Sequence, residues 1–376
     1  MEQAEFRRHF PIFEDGVHLC SCSEGALSDR VQAAMAAFME SWQVHAAPWD
    51  YWMTEVVRAR GLFAALIHAD PADVAWVSCA SEAAFQAAST QLFLPDRNRI
   101  IANDLEFPSI AHVWLAQEPR GAEVRFIRHR DGIVRVQEYL AAIDERVQLV
   151  SIPLAAYANG LRLPVREIAD AAHRAGARVV VDAYQGAGVL PIDVRTLGAD
   201  YLFAGTLKYL LGAPGIAFLW VNPKLPQDVP PALTGWFGRS NPFAFTPETL
   251  DWAPAAGRYQ TGTPAIPAAF AAVGGLSLLA ECSPDDVAAH VAALAGLLQA
   301  ELAEQGWDFY SPTHPEQRGP QVTIRTDKPA ALSQFLTERR IFASPRGQAV
   351  RLSLHYYNNT DDVARTAEAL RLFRAL

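Results

Sequence analysis

Residues 179–221 read VVVDAYQGAGVLPIDVRTLGADYLFAGTLKYLLGAPGIAFLWV, and the spacing of apolar runs in and around them sets the fold. Ala177 to Asp182, Tyr201 to Ala204 and Ile216 to Val221 are short, β-rich and apolar, as buried strands are. The segment before the first run is helical by pattern: Pro164 opens it, Val165, Ile168, Ala169 and Ala172 recur at helical spacing, and Gly176 stops it. Working outward, Val74 to Val77, Arg99 to Ala102, Glu123 to Ile127 and Val147 to Ile152 repeat the alternation of strand with helix. This predicts an α/β fold, a large domain with a mostly parallel seven-stranded sheet flanked by helices. Asp182 then falls at the carboxyl end of a buried strand, the edge where ligands sit in open sheets.

Beyond Val221 the texture changes. Pro, Gly and Trp crowd Asn222 to Pro267 without a period, which reads as ordered loop over a site or a domain crossing. A long amphipathic helix starts at Ser283-Pro284 and carries Val287, Val291, Leu294, Leu298 and Leu302 on one face. Strands at Gln321 to Arg325 and Val350 to Leu354, with helices near Ala330 to Arg340 and Asp361 to Phe373, complete a smaller α+β C-terminal domain. The expected division is 21–265 for the large domain, and 1–20 with 266–376 for the small one.

The 376 residues carry 41 acidic and 32 basic side chains, a formal charge of −9. That balance opposes binding to phosphate backbones or anionic membranes, so neither nucleic acid nor membrane is an expected partner. Cys20, Cys22, Cys79 and Cys282 are too few and scattered for a disulfide framework, which suits a reducing cytoplasm. Cys20 and Cys22 make only half a metal site, and no metal is expected. The acidic start Met1-Glu2-Gln3-Ala4-Glu5 lacks the features of a secretory signal. No uncharged apolar run approaches the roughly 20 residues of a membrane span. A soluble, cytoplasmic protein is expected.

Lys208 follows Asp182 by 26 positions, after the strand Tyr201 to Ala204 and before Gly212-Ala213-Pro214-Gly215. A lysine in a loop over a sheet edge, between apolar Leu207 and Tyr209, loses solvent; its amine becomes less basic and nucleophilic toward a carbonyl. Taken alone, Lys208 reads first as a solvated surface lysine, as most lysines are. Cys79 to Ala83 lies between a strand and a helix, where free N–H groups and the Ser81 hydroxyl converge on an anion or simply cap the helix.

Together these pieces resemble the class V aminotransferase-fold group (fold type I) of pyridoxal phosphate enzymes, which includes cysteine desulfurases, kynureninases and epimerase-like relatives. Asp182-Ala183-Tyr184-Gln185, Gly198-Ala199-Asp200-Tyr201, Lys208 and Gly212-Ala213-Pro214-Gly215 carry the likeness, which extends from about Leu19 to Val363. The resemblance implies pyridoxal 5'-phosphate as cofactor, joined covalently to Lys208, which also shuttles the substrate's α-proton. It implies that Asp182 pairs with the pyridine nitrogen and that Gln185 donates to the phenolic oxygen. Ala80 and Ser81 match the turn that holds the phosphate, and Phe107 takes the place of the aromatic ring stacked on the pyridine. Asn159 matches a residue at the ring edge. Trp236, in Gly235-Trp236-Phe237-Gly238, matches a phosphate-holding tryptophan.

Gln260-Thr261-Gly262-Thr263-Pro264 resembles the segment whose threonine reaches the phosphate of a neighbouring subunit, which implies a homodimer with Thr263 contributing across the interface. Arg351 resembles the arginine that forks onto the substrate α-carboxylate. Strand alternation puts Arg351, Ser353 and His355 on one face. Trp236, Arg239, Trp252, Arg258, Tyr356 and residues around Glu24 are the expected lining for the substrate side chain.

Departures narrow the reaction. Ala343 to Val350 holds no cysteine where desulfurases carry their nucleophile, so a persulfide route is disfavoured. Leu207 replaces the tyrosine of kynureninases and Gln185 their usual histidine, so kynurenine is not the expected substrate. The expectation is a lyase cleaving a Cβ–S or Cβ–C bond of an amino acid. An aminotransferase or an amino-acid epimerase of the same fold is the alternative.

Overall fold

The computed structural model describes residues 1–226 and 228–376. Its strands are β1 (Val17–Leu19), β2 (Val74–Val77), β3 (Arg99–Asn103), β4 (Glu123–Ile127), β5 (Val147–Pro153), β6 (Arg178–Asp182), β7 (Tyr201–Gly205), β8 (Ala217–Val221), β9 (Gln321–Arg325), β10 (Ile341–Arg346) and β11 (Ala349–Ser353). β2 to β8 form the seven-stranded sheet in the order β2-β8-β7-β6-β5-β3-β4. Each expected strand of this sheet is present, with ends shifted by at most one residue.

Neighbours from β7 to β4 run parallel, whereas β8 is antiparallel to both β7 and β2. The cause lies in the connections. β7 returns into β8 through a tight loop at residues 206–216 with no crossover helix, so the chain must reverse direction. That loop carries Lys208 and stays at the carboxyl edge of the sheet. β2, β3, β5, β6 and β7 all end at this edge, and the strand order reverses between β3 and β5.

Alternation splits the core into two faces. Val180, Tyr201 and Phe203 pack with Ala83, Ala84 and Ala87 of the helix Ala80–Ser89 and with Trp114 of Pro108–Leu115. Val179, Val181, Leu202 and Ala204 belong to the opposite cluster with Phe63 and Ile168. Asp182, two residues after Val180, therefore stands on the face covered by the helices 80–89 and 108–115.

The second sheet, β1-β10-β11-β9, joins the start of the chain to its end. β1 pairs parallel with β10 through Val17–Ile341, His18–Phe342 and Leu19–Ala343, while β10, β11 and β9 are antiparallel neighbours. The helices Pro284–Glu304, Pro329–Glu338 and Thr360–Arg374 pack with this part of the chain. Helix Pro284–Glu304 is apolar and long enough to cross a bilayer, yet Val287, Val291, Leu294, Leu298 and Leu302 are buried inside the protein. Helix Ile266–Ala280 packs on Asp29–His45 and Trp49–Leu66. The Pro- and Gly-rich region forms short 3-10 turns at Trp236–Gly238, Pro242–Ala244 and Ala255–Tyr259.

Candidate active site

Three segments pin the lysine loop. Within it, Gly212 N–H donates to Thr206 C=O at 2.8 Å and the Thr206 hydroxyl donates to Ala213 C=O at 2.7 Å. Leu211 closes the turn with φ +60°, a left-handed conformation that costs a leucine of order 1–3 kcal/mol and is held here by its burial. From the N-terminal segment, Gly25 N–H donates to Leu207 C=O at 2.8 Å. From beyond β11, His355 Nε2 meets Tyr209 C=O at 2.9 Å, and its Nδ1 accepts from Tyr356 N–H at 2.7 Å. Burial pushes the His355 pKa down to about 4. The ring is neutral, so its proton sits on Nε2 and donates to Tyr209.

The loop overhangs a cavity of about 250 Å³ at the sheet edge, where Lys208, Asp182, Gln185, Phe107, Ala80 and Ser81 all line the wall. Six residues named from the sequence thus share one space, joined by Tyr157 and Tyr184, which the sequence did not single out. The Lys208 ammonium nitrogen lies 4.4 Å from the centre of the Tyr184 ring and 5.4 Å from that of Phe107. Burial lowers its pKa to about 8, against the opposing pull of Asp182. Asp182 is 6% exposed. Burial raises its pKa to about 6, while the Tyr184 N–H donated to Oδ1 at 2.9 Å and the Lys208 charge favour ionisation.

This wall fits pyridoxal phosphate. A desolvated acid near a desolvated amine can take a cationic ring nitrogen at one end and an aldehyde at the other. Ala80 and Ser81 open the helix Ala80–Ser89, whose first N–H groups and positive dipole end suit a phosphate. Gln185 donates to Cys22 C=O at 3.0 Å, while its buried Oε1 has no hydrogen-bond partner among the described residues. A polar group bonded on one side and unpartnered on the other belongs at a ligand edge.

Arg351 is 2% exposed beside this cavity. One Nη donates to Tyr157 C=O at 3.0 Å, and the other to the Ser23 and Ser344 hydroxyls at 2.9 and 2.7 Å. Its Nε is buried without a partner, and among the described residues no carboxylate pairs with it. A buried guanidinium held only by neutral oxygens is prepared for an anion. Ser353 and His355 meet the segments 19–22 and 209, so all three face the N-terminal strip and lysine loop.

Other named residues lie elsewhere. The Asn159 amide donates to Gly132 and Tyr310 carbonyls at 2.8 and 3.2 Å and accepts from Leu161 N–H at 3.0 Å; it stands outside the cavity wall, bracing the two parts of the chain. Trp236 donates its indole N–H to Pro242 C=O at 2.6 Å and lines a separate apolar pocket with Trp49, Phe243 and Phe245. Thr263 is exposed and does not line this chain's cavity. Of the expected side-chain lining, Arg239 pairs with Asp251 and Tyr356 packs on Phe6 and His290, both away from Lys208.

Sequence reading passed over Glu106. It is 3% exposed, accepts from the Trp114 indole N–H at 3.0 Å, and bonds to the Ser151 hydroxyl. Burial pushes its pKa up to about 8, helped by the charge of Asp182. A carboxyl between Leu105 and Phe107, eight residues before a tryptophan on the next helix, was the available signal. The strip 20–25, expected around Glu24 to line the substrate side chain, supplies specific contacts that the sequence did not assign: Ser23, Cys22 and Gly25 reach Arg351, Gln185 and the lysine loop.

The family model described as "Aminotransferase class-V" matches residues 29–366. An "Uncharacterized aminotransferase YcbU" of Bacillus subtilis (strain 168) is 32% identical, over 97% of this chain and 96% of its own length. A kynureninase of Shouchella clausii (strain KSM-K16) is 27% identical over 98% of this chain and 90% of its own. Among solved structures, the cysteine desulfurase CsdA of Escherichia coli superposes with a TM-score of 0.87 at 22% identity, covering 100% of this chain and 99% of that one. The cystine C-S lyase C-DES, in complex with its product cysteine persulfide, gives a TM-score of 0.86 at 20% identity, covering 96% and 99%.

Proposed function

The chain belongs to the class V aminotransferase family, and from that premise we propose that it is a lyase cleaving a Cβ–S or Cβ–C bond of an amino acid. Pyridoxal 5'-phosphate is its cofactor and amino acids are its substrates. The observation that carries the reading is the meeting of Lys208, Asp182 and Gln185 in one cavity with the buried, anion-ready Arg351 beside it.

When bound, pyridoxal phosphate supplies an electron sink for charge left on a substrate's α-carbon. Ala80 and Ser81 would hold its phosphate, Asp182 its ring nitrogen and Gln185 its phenolic oxygen, with Phe107 beside the ring. Arg351 takes the α-carboxylate, and its two-pronged grip fixes which α-bond is exposed to Lys208. Lys208 then removes the α-proton; its lowered basicity keeps a usable fraction of free amine near neutral pH. The lysine carries that proton while the β-substituent leaves. Exposed Thr263 would reach the phosphate site of a second copy in a homodimer.

The kynureninase and the cystine C-S lyase among the similar proteins favour cleavage beyond the α-carbon. The relative named as an aminotransferase favours the second reading, transamination, with epimerisation as a further outcome of the same deprotonation. Incubation of holoenzyme with β-substituted amino acids separates them. Release of pyruvate or alanine with the free β-fragment is the expected result. Stoichiometric conversion of the cofactor to its amine form, with a keto acid that retains the side chain, would replace the lyase by an aminotransferase.

A further inference from the structure

We infer that Arg346 is a second anion anchor of the substrate site, and that the preferred substrate is an amino acid whose side chain ends in a carboxylate. The inference rests on the reading above in which Arg351 holds the α-carboxylate.

The hairpin register places the two arginines together. Ser344 stands opposite Arg351 and Arg346 opposite Ala349. Residues opposite each other, and residues two apart, point to the same side of a sheet. Arg346 and Arg351 are therefore diagonal neighbours on one face, with backbones about 7–8 Å apart. The face is the one turned to the cavity, because Arg351 on it reaches Ser23, Ser344 and the Tyr157 carbonyl. Arg346 is also the last residue before a two-residue turn, Gly347-Gln348, in which Gly347 takes φ +56°. Such a turn fixes the strand ends firmly.

A groove of about 610 Å³ next to the Lys208 cavity gives the second anion a place. Tyr157 lines both, and Arg346, Tyr310 and Arg325 line the groove. Arg325 is already paired with Asp131 and Asp308. Asp327 also lines the groove. Arg346 has no ion pair or hydrogen bond from its guanidinium among the described residues, which leaves it as the available cation. Its charge, like that of Arg351, is felt at the Lys208 amine, so it is near enough to act on a bound substrate. A neutral or apolar side chain would leave that cation unused; a carboxylate at the end of a short chain, with its α-carboxylate on Arg351, engages both.

The test uses holoenzyme and unreactive acids, so that binding is read without turnover. Calorimetry would compare succinate and glutarate with butyrate and valerate for the wild type, R346Q and R351Q. The expected result is that the dicarboxylates bind about tenfold or more tightly than the monocarboxylates, since charge-assisted hydrogen bonds carry that much. R346Q should abolish the difference while leaving monocarboxylate affinity in place, and R351Q should weaken every acid. In parallel, kcat/KM for acid-ended amino acids should fall in R346Q and that for their amides should not. If R346Q leaves the dicarboxylate preference intact, or the wild type has none, the inference is overturned while the proposed function stands. If R351Q changes nothing, the proposed function falls and takes this inference with it.

Discussion

Gly25 rests against the carbonyl of Lys208: a Cβ at Gly25 would stand 2.4 Å from that oxygen. No side chain fits there, and the contact comes from backbone that cannot swing aside. The N-terminal strip thus sets the height of Lys208 over the sheet edge.

Gly25→Ala is expected to push the lysine loop outward. A displacement near 1 Å at a reacting group costs on the order of 100-fold in turnover. Far-ultraviolet circular dichroism should be unchanged while the absorbance of lysine-linked cofactor falls. Gly61→Ala is the control: nothing lies within 4 Å of its Cβ, and it sits inside the helix Trp49–Leu66. That substitution should stabilise the protein by about 0.5–1 kcal/mol and leave the absorbance alone. Equal effects from both would show that Gly25 does not position the lysine.

The chain has three lysines, Lys208, Lys224 and Lys328, and the last two are exposed. Reductive methylation of cofactor-free protein, read by peptide mass, therefore isolates the Lys208 amine. Burial disfavours its ammonium form, so labelling should rise with a midpoint near pH 8. Asp182→Asn removes an attraction that favours the charged amine, and the midpoint should move lower still. A midpoint that moves upward would contradict the shared cavity.

Lys208→Ala is expected to lose the covalent hold on the cofactor completely. Borohydride should fix pyridoxal phosphate to the peptide containing residue 208 in the wild type and to no peptide in the variant. Fixation at Lys224 or Lys328 would move the active site elsewhere.

Glu106 makes cofactor-free stability fall with rising pH. Its folded pKa of about 8 lies above the ordinary carboxylate range, so the native state holds a proton that the unfolded chain gives up earlier. The stabilisation is complete below about pH 4.5 and is lost as pH rises through 8. Asp182 behaves in the same direction, with its loss complete once the pH has risen through about 6. Glu106→Gln mimics the protonated acid and keeps partners for Trp114 and Ser151. Urea unfolding should give it near-parity with wild type at about pH 4.5 and an advantage that grows by about 1 kcal/mol per pH unit up to pH 8 and then stays level. Glu106→Ala leaves the indole N–H and Ser151 hydroxyl unpaired and should cost about 2–4 kcal/mol. A Gln variant no better than wild type at pH 9 would mean that Glu106 is not protonated in the fold.

The large sheet was legible because its strands are buried on both faces and read as uninterrupted apolar runs, bounded by Gly and Pro. Asp182 and Lys208 followed from where such runs end. β1 and β10 were not legible: β1 has three residues, and β10 contains Pro345 and a polar end that weaken any strand signal. Their pairing joins opposite ends of the chain, which no local pattern records. Around Glu24 only a general lining was legible; the particular contacts of Ser23 and Gly25 were not, because small residues in a strip without period say nothing until the sheet brings them to Arg351 and the lysine loop. Asn159 illustrates the converse, since a turn-forming amide carries the same letters whether it touches a ligand or ties backbone to backbone.

The pairing of Val17 with Ile341 has a consequence for how the molecule comes into being. During synthesis, residues 74–221 can collapse around their own sheet early, whereas β1 must wait for nearly the entire polypeptide before its partner leaves the ribosome. The half that grips the cofactor is expected to mature first, and the half that grips an amino acid last. Nascent chains would then become chromophore-bearing before they become substrate-competent, and a truncation removing the first nineteen residues, through the end of β1, would arrest them at that stage.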